Sequence, residues 1–209
     1  MKKYLKEFCL ALLAGISIGI GGIVYLSVEN PVVGALLFAT GLLTILAFKL
    51  NLFTGKAPYI CQNDLKYCGF VGLVWLGNFV GTGITALIIR CTRIYDKIID
   101  RCNTIAETKV ADNLGSLFIL GIFCGILMYI AVDAYNKYSL DKNFSATVLT
   151  VFCVSVFILS GFEHSIADMF YFILALPIEM WILPLVVISF GNIIGSNIFC
   201  FLTNKFREA

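Results

Sequence analysis

The chain is expected to be an all-α membrane protein of six transmembrane helices arranged as two inverted three-helix repeats. Three observations predict this: a composition unsuited to water, six apolar stretches of spanning length, and polar breaks at matching places in the second and fifth of them. Of 209 residues, 60% are hydrophobic and 13% charged, and mean hydropathy is +0.94. Lipid must be the main solvent of such a surface. A formal net charge of +2, with no basic run or acidic tail, sets nucleic acid aside as a partner.

A bilayer core takes roughly 20 apolar helical residues to cross. Stretches of that kind run near 8–27, 31–60, 68–90, 114–135, 144–174 and 180–202. Turn and breaker residues separate them: Glu29-Asn30-Pro31, Asn63-Asp64, the polar stretch from Arg90 to Asp112, Asn136 to Asn143, and Leu176-Pro177. The first stretch follows Lys2, Lys3 and Lys6 as a signal peptide would. It is longer than a signal core and lacks a small-residue cleavage site, so it reads as a retained span. An even number of crossings puts both termini on one side. Placing that side in the cytoplasm gathers nine Lys and Arg residues inside, Lys6, Lys56 and Lys66 among them, against Arg90, Arg93, Lys97, Arg101 and Lys109 outside. The expected location is therefore the inner (plasma) membrane, multi-pass, with cytoplasmic termini. Lys49, Lys142 and Asp133 lie near span ends and read as snorkelling groups.

Glycines recur four residues apart within the spans: Gly15 and Gly19, Gly77 and Gly81, Gly121 and Gly125, Gly191 and Gly195. In lipid such faces let helix backbones approach closely, which is what holds a bundle together there. The eight cysteines are scattered, without a C-x-x-C pair and with a single histidine in the chain. They read as small buried hydrophobes, and a thiol oxidoreductase or a haem enzyme lacks its parts.

The second stretch is interrupted by Lys49-Leu50-Asn51-Leu52-Phe53-Thr54-Gly55-Lys56, with Pro58 beyond, and the fifth by Ser160-Gly161-Phe162-Glu163-His164-Ser165, with Asp168 beyond. Second of the first three and second of the last three are equivalent places, giving repeats of about 1–92 and 112–209. Three spans per repeat make the two halves run in opposite directions, and paired broken helices mark a transport site near the midplane. Unwound backbone at that depth must be buried in protein or line a cavity, so the two breaks are expected to face each other across a passage. His164 is an ionisable group inside the membrane, which is costly and marks a pathway. Thr54 offers a hydroxyl to an anion or to the imidazole, and taken alone fits a helix cap equally well. Glu163 and Asp168 are expected to support the breaks by accepting backbone N–H groups that the breaks set free.

Four motifs, spread in order over nearly the whole chain, resemble the formate/nitrite transporter family of anion channels, which has formate, nitrite and hydrosulfide members. They are Leu52-Phe53-Thr54-Gly55, Trp75-Leu76-Gly77-Asn78-Phe79-Val80-Gly81, Gly161-Phe162-Glu163-His164-Ser165-Ile166-Ala167 and Gly191-Asn192-Ile193-Ile194-Gly195. The resemblance implies an aquaporin-like hourglass, a homopentamer with one pore per subunit, no cofactor, and a small anion and membrane lipid as partners. By position it implies a central gate of Leu52, Thr54 and His164. Phe38, Leu42 and Phe157 would form an outer apolar constriction, Met128 would contribute to an inner one, and Lys6 and Lys109 would attract anions at the vestibules. The chain departs from the family pattern in three places. The fourth span reads Cys124-Gly125-Ile126 where an Asn-containing triplet is common, Asp168 stands where Asn is usual, and Lys56 follows Thr-Gly where a neutral polar residue is common. These leave the polar partner of His164 and the preferred anion open, hydrosulfide being one candidate.

The function these features imply is a channel or proton-linked transporter for small monovalent weak-acid anions, not an enzyme. The anion would take up a proton near His164 and cross the apolar rings neutral, because desolvation disfavours its charged form. The alternative is a facilitator for water, ammonia or glycerol; the chain lacks paired Asn-Pro-Ala motifs and carries a midplane histidine.

Overall fold

The computed structural model describes residues 2–138 and 144–207; most of the expected turn from Asn136 to Asn143, with Lys142, lies outside the described residues. The described chain is nearly all helical. It runs α1 (Lys2–Ser27), α2 (Pro31–Ala47), α3 (Phe53–Lys56) continued by a 3-10 turn (Ala57–Gln62), α4 (Leu65–Ile89), α5 (Tyr95–Ala111), α6 (Leu114–Tyr138), α7 (Phe144–Leu159), α8 (Ser165–Ala175) and α9 (Ile178–Arg207). Helices α1, α4, α6 and α9 are each long and apolar enough to cross a membrane. The second and fifth apolar stretches are split, into α2 with α3 and into α7 with α8.

Local chemistry sets the starts of these helices. Asn30 caps α2, its Oδ1 accepting from Val32 N at 2.9 Å and Val33 N at 3.2 Å, with Pro31 in the first turn, where a missing N–H costs nothing. Asp64 caps α4 by accepting from Tyr67 N at 3.1 Å.

Helix α1 packs on α4 and on α2; helix α6 packs on α9 and on α7; and α2 meets α7. The glycine faces lie in the two tightest of these contacts. A Cβ on Gly81 would stand 2.1 Å from Leu12 O, and one on Gly195 would stand 2.1 Å from Ile122 O. Neither contact leaves room for any side chain, so glycine is what permits α1–α4 and α6–α9 to touch backbone to backbone. Large apolar side chains such as Ile20, Leu87, Ile119, Phe152, Leu183 and Phe201 are left exposed around the outside. A multi-pass membrane protein hands that surface to lipid.

The stretch from Arg90 to Asp112, read from sequence only as a polar break, contains a 17-residue helix, α5. Its apolar side is a narrow stripe, Ile98, Cys102 and Ala106, all fully buried. Two arginines tie this region to chain ends that lack helical partners. Arg90 Nη2 donates to Ile173 O at 2.9 Å and Leu174 O at 2.8 Å, in the last turn of α8. Arg101 donates to Val28 O and lies over the Tyr25 ring, 4.6 Å from its centroid.

Candidate functional site

The two breaks are closed by the same backbone device. After α2, Leu50 N donates to Ile45 O at 2.8 Å and Lys49 N to Leu46 O at 3.2 Å; after α7, Phe162 N donates to Phe157 O at 2.9 Å and Gly161 N to Ile158 O at 3.3 Å. Each is a Schellman closure, which needs a left-handed residue just past the helix. That residue is Gly161 (φ 68) in the second break and Lys49 (φ 54) in the first. A non-glycine residue there costs roughly 1–2 kcal/mol.

Beyond each closure one buried asparagine from a long helix holds the unwound strand. Asn78 on α4 accepts from Phe53 N at 2.8 Å through Oδ1 and donates through Nδ2 to Asn51 O at 2.9 Å and Ala11 O at 2.7 Å. Asn192 on α9 accepts from Ser165 N at 3.0 Å and donates to Glu163 O at 2.8 Å and Gly121 O at 2.9 Å. A side-chain amide is the one group that can accept and donate twice at once, and at this depth no water stands in for a lost partner. Both asparagines lie in motifs already singled out, but this role had been missed. In the first break Asn197 on α9 adds a third clasp, donating to Ala57 O at 2.8 Å and accepting from Cys61 N at 3.2 Å.

These clasps bring Thr54 and His164 together. Thr54 Oγ1 lies 3.0 Å from His164 Nε2, and both side chains are buried. Ala167 N donates to His164 Nδ1 at 3.1 Å, so His164 caps α8 with its own ring. With Nδ1 accepting, the proton of the neutral imidazole sits on Nε2 and is donated to Thr54 Oγ1, which leaves the Thr54 hydroxyl hydrogen free to point elsewhere. Phe157 stacks on His164 with centroids 5.3 Å apart, and Phe38 meets Phe157 edge-on at 6.1 Å. The expected fourth-helix partner has no place here: a Cβ on Gly125 would already be 2.3 Å from Asn192 O. The backbone amide of Ala167 takes that role.

Two cavities flank this centre. The first, about 420 Å³, is lined by Leu42, Leu52, Gly55, Lys49, Lys56 and Tyr59 among others. The second, about 280 Å³, is lined by Phe38, Phe157, His164, Lys109, Glu163 and Asp168 among others. Leu42, expected beside Phe38 and Phe157, instead lies on the first cavity with Leu52. Met128 is buried and lines neither cavity; about one turn further along α6 it is Val132 that does so. Lys6 is exposed near the start of α1 and also lines neither.

Glu163 and Asp168 depart from the expected backbone support. The freed amides are already satisfied by Asn78, Asn192 and the His164 ring, so the two carboxylates turn to an ammonium. Lys109 on α5 pairs with Asp168 Oδ1 at 3.0 Å and with Glu163 Oε2. Burial of Lys109 works against its charge, but Asp168 and Glu163 outweigh that and hold its pKa above the ordinary lysine value. Asp168 Oδ2 is buried without a hydrogen-bond partner.

Comparison with known proteins agrees with this architecture. A family model described as "Formate/nitrite transporter" matches residues 1–206. A Bacillus subtilis (strain 168) protein named "Uncharacterized transporter YwcJ" is 30% identical over 190 residues, covering 81% of this chain and 73% of that one. The formate channel FocA of Escherichia coli (strain K12) is 28% identical over 217 residues, covering 93% and 73%. Two solved structures share the fold. One, titled "Pentameric formate channel with formate bound", has a TM-score of 0.82, 24% identity and coverage of 99% and 98%. The other, titled "FNT family ion channel", has a TM-score of 0.85, 21% identity and coverage of 97% and 90%.

Proposed function

Because the chain belongs to the formate/nitrite transporter family, we propose that it passes small monovalent weak-acid anions of the formate, nitrite or hydrosulfide type through a pore whose narrowest point is Leu52, Thr54 and His164. The observation that carries this reading is the buried 3.0 Å pair of Thr54 and His164 between two cavities. In this reading the chain crosses the inner membrane six times as two inverted units, about 1–92 and 112–209, with both termini cytoplasmic. The first cavity is then the inner mouth and the second the outer. The matched pairs α1–α4 and α6–α9, with Asn78 and Asn192 in equivalent roles, support the repeat. The pentamer of the solved relative is the assembly we assign.

The chemistry follows from the cost of desolvation. Stripping a bare anion of water costs several kcal/mol even after relaxation, and the walls here are Leu42, Leu52, Phe38 and Phe157. The hydroxyl hydrogen of Thr54, polarised by His164 Nε2–H, is the donor that meets the anion at the centre. As water is lost the anion becomes the stronger base. It takes up a proton delivered from bulk solvent through the cavities, and crosses the phenylalanine pair as the neutral acid. His164 acts by polarising Thr54; as long as Ala167 N occupies Nδ1, the ring carries one proton.

A neutral-solute facilitator is not favoured, since the relatives are named for formate and for transport. Flux into proteoliposomes tests the proposal. Formate uptake should rise as pH falls, and chloride, which cannot be protonated, should pass poorly. Equal conduction of chloride and formate without pH dependence would overturn it.

A further inference from the structure

The two cavities that flank Thr54 and His164 differ in their charged groups. In the second, the single ammonium of Lys109 faces two carboxylates, Glu163 and Asp168. Among the described residues the first is lined by Lys49 and Lys56 and by no Asp or Glu. Neither lysine makes an ion pair within 4.0 Å among the described residues. Glu7 is the carboxylate whose field reaches Lys56, and it is engaged by Asn51 Nδ2 at 2.7 Å. Asp133, on the adjacent stretch of α6, pairs with Lys137 at 2.9 Å.

The backbone is fixed at both lysines. Tyr67 donates from its hydroxyl to Lys56 O at 3.0 Å, pinning the backbone that carries the ammonium. Lys49 occupies a left-handed backbone position whose counterpart in the other break is Gly161. Strain of this kind persists where the side chain has a task. Tyr59, Tyr135 and Asn136 add donor-bearing side chains to the lining, and Leu42, Leu52 and Gly55 on the same wall join the cavity to the central constriction.

We propose that Lys49 and Lys56 form a binding subsite for a small monovalent anion, a carboxylate such as formate, in the first cavity, from which the anion is delivered to Thr54. The subsite deepens the pore reading and rests on it. It moves the capture of anions away from the two lysines the family pattern singles out, since Lys6 is exposed outside the cavity and Lys109 is outnumbered by its carboxylates. An anion entering the first cavity meets two lysines with no ion-pair partner among the described residues, while one entering the second meets an ammonium already paired with Glu163 and Asp168. Clefts lined by one sign of charge raise local ion concentration by about 10-fold or more, so capture is favoured from the side of the first cavity.

The test combines binding and transport on the full chain. Formate labelled with carbon-13 is titrated by NMR into detergent-solubilised protein, using wild type, K56Q, K49G and the double variant, at low and high ionic strength. Wild type should bind formate, the double variant should bind about tenfold or more weakly, and salt should remove the difference. In proteoliposomes of known orientation, the half-saturating formate concentration should rise by a similar factor only when formate is supplied on the first cavity's side. If the folded double variant binds formate as wild type does, the subsite is wrong, and wild-type flux then shows the pore reading still standing. Lysine-dependent binding in a protein that carries no formate flux would support the subsite and sink the pore reading instead. Loss of half-saturation equally from both sides would also overturn the subsite.

Discussion

The two breaks share one backbone and differ in the side chains hung on it. Each ends its leading helix with the same pair of hydrogen bonds and is clasped by one asparagine making three. Where the first break has Leu52 at the helix cap the second has His164. Where the first has Asn51, donating to Glu7, the second has Glu163, accepting from Lys109. Where the first has a strained Lys49 the second has Gly161. Backbone groups in a membrane must be satisfied whatever the sequence around them, so the clasp is duplicated. No such common requirement binds the side chains, and they differ between the two breaks.

The largest way to break this comparison is to remove the charge special to the second break. Lys109→Met leaves Glu163 and Asp168 buried without their cation and should cost about 3–5 kcal/mol, read as a lower unfolding temperature in detergent. Asn51→Leu, the nearest equivalent in the first break, should cost far less. Next come the clasps themselves. Asn78→Leu orphans Phe53 N and Asn51 O, and Asn192→Leu orphans Ser165 N and Glu163 O, at about 1–3 kcal/mol for each group left unsatisfied. The two losses should be alike, and a marked inequality in thermal unfolding would mean the breaks are not equivalent.

Smaller effects sharpen the contrast. Lys49→Gly should stabilise the fold by about 1 kcal/mol and Gly161→Lys should destabilise it by roughly 1–2 kcal/mol, a reciprocal pair measurable by thermal scans. The smallest is a pH effect. Lys109, with its pKa raised above the ordinary 10.5, contributes in full below that value and loses its contribution as pH climbs through the folded pKa. Stability from this group should therefore be flat between about pH 5 and 9, as unfolding scans across that range can check.

Much of this arrangement was legible in the sequence because the membrane leaves few options. Apolar stretches of spanning length, glycines four apart and two polar interruptions at equivalent places lead to a paired-break architecture and to Thr54 and His164. What escaped were contacts that depend on distance in space. Lys109 and Glu163 are 54 residues apart, and nothing local tells a carboxylate that its partner will be an ammonium from α5 in place of a backbone amide. Helix α5 was hidden because Ile98, Cys102 and Ala106 are only a thin stripe among charges. Asn78 and Asn192 were visible as motif members, but their three-way bonding requires the broken strand to lie beside them. Leu42 fell on the other cavity although it shares a face of α2 with Phe38, because it stands one turn, about 6 Å, further along the helix axis.

The central claim is that Thr54 and His164 act as one unit in one passage. A double-mutant cycle with Thr54→Val and His164→Ala, read as formate flux in proteoliposomes at several pH values, tests it most directly. The account predicts that each single variant loses about as much flux and pH response as the double, because the hydroxyl works only when polarised by the ring. Independent, additive losses, or unchanged flux in His164→Ala, would contradict it.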